Sequence, residues 1–216
     1  MALAYWIRPD VAVTVDYGQL PAAAEIEVAA ATCARLGIRH EIVRVDCRAL
    51  GVGHLAGQAE TGRLAPTPEW WPYRNQLLAT LAGMRLVNEG LSEVMLGTVA
   101  SDSAHADGRP EFLAAMDALM AIQEGRVRVT APAAAMTAVD LVLRSGVPDD
   151  MLERSFSCHA SEYPCGQCRG CAKREDVLAD VAARRKAPSR DEGRSFCPSS
   201  ASTVARAVSP SRGSTN

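Results

Sequence analysis

The sequence predicts an α/β domain built on a doubly wound sheet of parallel strands. Short apolar runs alternate with segments of helical period, the order in which parallel strands take right-handed crossover helices. The residues after each run are polar, as expected where ligands sit beyond the carboxyl ends of such strands. Towards the C-terminus, four cysteines at fixed spacing add a metal-binding segment to that frame.

Residues 11–16 (VAVTVD) are a continuous apolar run and read as a buried parallel strand. Residues 22–37 are alanine-rich and carry Ile26, Ala29, Ala30, Cys33 and Leu36 on one stripe, which predicts a helix closed by Gly37. Residues 40–45 give a second strand. An irregular stretch holding Gly51, Gly53, Gly57 and Pro66 leads to a helix over 74–88 and a third strand over 93–97. A helix over 110–123, a short strand over 127–130, a helix over 137–144 and a helix after the cysteines complete the order. Residues 1–186 are expected to form one domain that includes the cysteine segment 158–171. Residues 187–216, rich in Ser, Arg and Pro and without apolar periodicity, read as a disordered tail with Cys197 as a free thiol.

The chain of 216 residues is 48% hydrophobic and 22% charged, enough for a core of ordinary size. A formal net charge of −2 gives no electrostatic reason to expect nucleic acid, so small molecules are the expected partners. With no secretory signal or transmembrane run, a reducing cytoplasm is the expected setting and no membrane partner is expected.

Cys158, Cys165, Cys168 and Cys171 follow the pattern C-x6-C-x2-C-x2-C. A tetrahedral zinc takes four such sulfurs at about 2.3 Å, and C-x-x-C turns bring two thiolates to one point where glycines such as Gly166 and Gly170 let the backbone bend. Structural zinc is the expected use, with a disulfide or redox pair as the alternative. Arg169, Lys173 and Arg174 lie where they could offset the negative charge of a four-thiolate site, and His159 is a weaker ligand candidate because four sulfurs already complete the set. Such a site folds a loop and leaves no coordination position for water.

Three polar clusters follow three successive elements. Asp16, Tyr17, Gly18 and Gln19 end the first strand, with Glu25 and Glu27 on the next helix. Tyr73, Arg74 and Asn75 open the third, where a guanidinium and helix N–H groups could hold phosphate or carboxylate together. Thr98, Ser101, Asp102, Ser103, His105, Asp107 and Arg109 follow the third strand. Each alone reads as a solvated loop residue, but three clusters at strand ends point to a site. Trp70 and Trp71 read more as a core edge than as pocket wall, and Cys33 as helix core.

DYGQ followed by an acidic helix, RN opening a later helix, a D-x-S-x-x-x-D-x-R-like loop and the four cysteines, in that order across residues 3–176, resemble the 7-cyano-7-deazaguanine synthase family of queuosine biosynthesis. The resemblance implies the fold of the adenine-nucleotide α-hydrolase-like (HUP, PP-loop) ATP pyrophosphatases with a structural zinc. It further implies ATP-dependent conversion of 7-carboxy-7-deazaguanine and ammonia into 7-cyano-7-deazaguanine, with Mg²⁺ assisting ATP. Carried over by position, Asp16, Tyr17, Gly18 and Gln19 lie by the nucleotide, Arg74 and Asn75 by phosphate or substrate carboxylate, and Asp102, Asp107 and Arg109 by the base or its activated group. The family admits a homodimer.

The chain also departs from the family pattern. The S-G-G-x-D-S phosphate loop is not found in the sequence, and residues 1–10 resemble the end of the helix that should follow it. His105 stands where a tyrosine is typical, Gly108 where a cysteine is, and Thr137 where a lysine is. Removal of a central strand would leave neighbouring strands flanking a gap with unpaired backbone groups, so the expectation is a start site placed too far downstream, with a degenerate or partner-completed protein as the alternative. Two other function classes stay open: a related pyrophosphatase of tRNA thiolation, DNA modification or phage defence, and a zinc-stabilised binding protein without catalysis.

Overall fold

The structure, a computed structural model, describes residues 1–59 and 61–187. The expected tail, Cys197 included, lies almost wholly outside the described residues. Strand β1 (Val11–Asp16) pairs in parallel with β2 (Arg39–Arg44), Val11 standing opposite Arg39 and Asp16 opposite Arg44. A short helix, α1 (Ala2–Ile7), precedes β1, and α2 (Ala22–Leu36) makes the crossover between the strands. As its pattern predicts, α2 buries Cys33 and stops at Gly37, whose φ of +67° is the left-handed region that glycine enters without a Cβ penalty.

Helix α3 (Arg74–Leu86) leads to β3 (Glu93–Met95), and α4 (Pro110–Ala121) carries the chain to β4 (Arg128–Thr130), which pairs in parallel with β3. Pro110 opens α4 at a position where its missing N–H costs nothing. Asp117 then clasps the crossover to the strand: its carboxylate accepts from the Arg128 guanidinium at 2.8 and 2.6 Å and from the Val129 N–H at 2.8 Å. The resulting core packs Ala79 and Ala82 of α3 against Val94, Met116, Met120 and Val129. A second core joins α5 (Ala138–Ser145), the one-turn α6 (Asp149–Leu152) and α7 (Arg169–Lys186) through Val142, Val147, Met151 and Val181.

The chain is thus α/β with parallel strands, but the four strands form two separate pairs among the described residues. β1 and β3 face one another across a cleft of about 910 Å³, lined by every residue from 9 to 13 and from 91 to 97. Of the β1 residues only Val15 is buried, although the apolar run predicts a strand covered on both faces; the cleft leaves β1 open on its β3 side.

Candidate active site

The four cysteines come together. Their sulfurs all lie within 4.8 Å of one another, with Cys165 to Cys171 at 4.0 Å and Cys158 to Cys168 at 3.9 Å. A tetrahedron of sulfurs about 2.3 Å from one ion has edges of about 3.8 Å, whereas a disulfide needs about 2.05 Å, so this geometry suits a four-coordinate metal such as zinc. Backbone N–H groups of Cys168 and Cys171 point at the Cys165 and Cys168 sulfurs, each at 3.4 Å. N–H groups of Gln167 and Cys168 hold the Cys165 thiol down to about 6, while burial pushes the Cys171 thiol up to about 12. Gly166 takes φ +70° in the knuckle, which favours glycine, and Gly170 in the first turn of α7 has no room for a Cβ against the Ser157 carbonyl oxygen. His159 is not one of the clustered ligands.

The basic residues beside the cysteines have a different use from the one expected. Arg169 pairs with Glu69 at 3.3 Å, and Lys173 reaches Ser101 at 2.8 Å and Asp102 at 3.3 Å. Arg174 donates to the Ser155 and Glu153 carbonyls. The metal segment therefore folds α7 so that Arg169 and Lys173 meet the loops after the strands.

Between these elements lies a cavity of about 750 Å³, large enough for a nucleotide-sized ligand. It is lined by Arg74, Asn75, Asp102 and Asp107 from the expected set, together with Glu25, Glu69, Trp70, His105, His159, Arg169 and Lys173. Arg109 is not among its walls; its Nε donates to the Ser103 carbonyl at 3.1 Å instead. Asp107 acts across the fold as a cap for α3, accepting from the Asn75 N–H at 3.1 Å while the Asn75 amide donates to the Asp107 carbonyl at 2.9 Å. The first residue of α3 is Arg74, thrown into the cavity by Tyr73 at φ +55°. Asp102 turns one oxygen to the Val99 N–H at 3.0 Å.

The loop after β1 is more self-contained than its polarity suggests. Gln19 is buried; its Oε1 accepts from the Tyr17 N–H at 2.9 Å and its Nε2 donates to the Val15 carbonyl at 3.1 Å and to Glu25 at 2.9 Å. Asp16 caps Gly18, whose φ of +98° leaves no room for a Cβ against the Arg48 side chain. Tyr17 is buried edge-on against Trp71 with ring centroids 4.8 Å apart, and burial raises its phenol despite the nearby Arg74. Burial likewise raises the Glu25 carboxyl, with Gln19 and Arg74 opposing. Both tryptophans line the cavity, and Trp71 is also core, so the two readings meet in it. Glu69 and Lys173 as cavity residues were not legible, since nothing local in the sequence ties either to the strand ends.

Two of the departures have local reasons. A side chain at Gly108 would put its Cβ 2.3 Å from the Asp102 carbonyl oxygen. Thr137 caps α5, its hydroxyl accepting from the Asp140 N–H at 3.0 Å.

Residues 7–182 match the family model described as queuosine biosynthesis protein QueC. Among curated proteins, the chain is similar to proteins named 7-cyano-7-deazaguanine synthase. One from Methanosarcina mazei is 24% identical over 197 residues, covering 80% of this chain and 84% of the relative. One from Desulforudis audaxviator is 30% identical over 192 residues, 75% of this chain and 81% of the relative. One from Xanthomonas campestris is 29% identical over 184 residues, 79% of this chain and 82% of the relative.

Proposed function

The chain belongs to the queuosine biosynthesis protein QueC family, and from that premise we propose how its cavity serves the synthesis of 7-cyano-7-deazaguanine. It is an enzyme that forms this nitrile in queuosine biosynthesis. The observation that carries the reading is the family match over residues 7–182, joined to a cavity in which cations and hydrogen-bonding groups converge.

The substrate is 7-carboxy-7-deazaguanine, the nitrogen comes from ammonia, and ATP with Mg²⁺ supplies activation in the cytoplasm. A carboxylate is a poor electrophile, so one of its oxygens first attacks the α-phosphorus of ATP with loss of pyrophosphate, and ammonia then attacks the carbon and breaks the C–O bond, releasing AMP and giving the amide. Activation of the amide oxygen by a second ATP, followed by loss of AMP and two protons, leaves the nitrile. Each step brings anions together, which the chain offsets with Arg74 and Lys173. Asn75 and Asp107 keep the N-terminus of α3, and so Arg74, in a fixed position, while Asp102 orients Lys173. Gln19 holds the loop after β1 closed and bonds Glu25, which lines the cavity. Cys158, Cys165, Cys168 and Cys171 would hold a zinc ion that ties the start of α7, and four sulfurs would leave no position for water.

The reading is tested by incubating the purified 216-residue chain with 7-carboxy-7-deazaguanine, ATP, Mg²⁺ and ¹⁵N-ammonium. The expected product is 7-cyano-7-deazaguanine carrying one ¹⁵N, detected by mass spectrometry. A folded, metal-loaded protein that gives neither amide nor nitrile would defeat it.

A further inference from the structure

We propose that Glu69 selects the guanine-type base, its carboxylate accepting from the ring N1–H and the exocyclic 2-amino group while Trp70 covers one ring face. The inference rests on 7-carboxy-7-deazaguanine being the substrate.

Glu69 is only 9% exposed, yet its one ion pair is a 3.3 Å contact with the exposed Arg169. A carboxylate has about four acceptor positions, and the Arg169 contact occupies one of them. The other acids around the cavity each hold a bond within the fold: Asp107 takes the Asn75 N–H, Asp102 takes the Val99 N–H and Lys173, and Glu25 takes the Gln19 amide. Glu69 differs in that its contact among the described residues is the single one with Arg169, and it lines the same cavity. Two parallel N–H donors fit a carboxylate as a planar pair, and the N1–H and 2-amino edge of guanine is such a pair. The next residue, Trp70, lines the same cavity and offers the stacking surface that a flat heterocycle needs. Charge sets the polarity of binding: the substrate carboxylate is repelled by Glu69 and drawn to Arg74 and Lys173.

The test measures equilibrium binding to the full chain without ATP, by calorimetry, for 7-carboxy-7-deazaguanine and its 2-deamino counterpart, 7-carboxy-7-deazahypoxanthine. The unsubstituted chain is expected to favour the 2-amino compound by about tenfold or more, the size of a charge-assisted hydrogen bond. Glu69→Gln should bring the two compounds within about threefold of each other. Arg169→Ala frees the carboxylate from its ion pair and should retain the preference. Trp70→Ala should weaken both compounds alike. If Glu69→Gln keeps the preference, or if Glu69→Gln and Arg169→Ala weaken both compounds equally, Glu69 merely anchors α7 and the inference is overturned while the substrate stands. If the unsubstituted chain binds neither compound, the substrate reading falls and this inference with it.

Discussion

Asp107 caps helix α3 from a distant loop, its carboxylate accepting the Asn75 N–H at 3.1 Å while Asn75 returns a bond of 2.9 Å to the Asp107 carbonyl. Both residues read from the sequence as parts of a site. What joins them is structural: the loop after β3 fixes the first turn of α3, and that turn carries Arg74 into the cavity. Asp107→Ala removes the cap and should cost about 1–2 kcal/mol of stability. It should also lower kcat/KM for the carboxylate substrate. Chemical denaturation and steady-state kinetics measure the two effects, and unchanged values in both would show that the pair does not position Arg74.

Cys158→Ser should abolish metal binding and loosen α7, because structural metal binding is folding free energy. Elemental analysis should give one zinc per unsubstituted chain and less than a tenth of that in the variant, by the loss of one of four ligands. Cys47→Ser, outside the cluster, should keep full metal content.

Much of this was legible in the sequence and some was not. Gly37 as a helix stop, Arg74 as a helix start and the four cysteines are local signals, fixed by chain chirality, turn geometry and ligand spacing. Glu69, Lys173 and Arg109 were not legible in their roles. Their positions depend on how α7 and the loop after β3 pack against the strand ends, and spacing along the chain says nothing about that. Gln19 is ambiguous for a related reason: a polar residue after a strand reads the same whether it faces a ligand or closes its own loop.

Glu25 gives the account a pH dependence. Burial raises its carboxyl above the usual glutamate value, so the folded chain holds that proton more tightly than the unfolded one. The stabilising contribution is complete below the ordinary value of 4.5 and is lost as pH rises through the raised folded value. Glu25→Gln stays neutral and keeps an acceptor for Gln19. Its Tm relative to the unsubstituted chain should therefore rise as pH increases from 4.5. A constant difference across that range would contradict the burial argument.

Gly108→Cys would restore the residue typical of the family at that position but should destabilise this chain. The added Cβ would lie 2.3 Å from the Asp102 carbonyl oxygen, and a backbone atom cannot step aside cheaply. A loss of about 1–3 kcal/mol in chemical denaturation is expected. No loss would mean that the loop adopts another turn.

Oxygen tracing tests the central claim most directly. Substrate carrying ¹⁸O in both carboxylate oxygens is converted by the full chain, and the AMP is analysed by mass spectrometry. Activation at carbon through AMP predicts that both oxygens leave on AMP, one per molecule, as the nitrile forms. Nitrile formed with unlabelled AMP, or ¹⁸O recovered in phosphate or water, would contradict it.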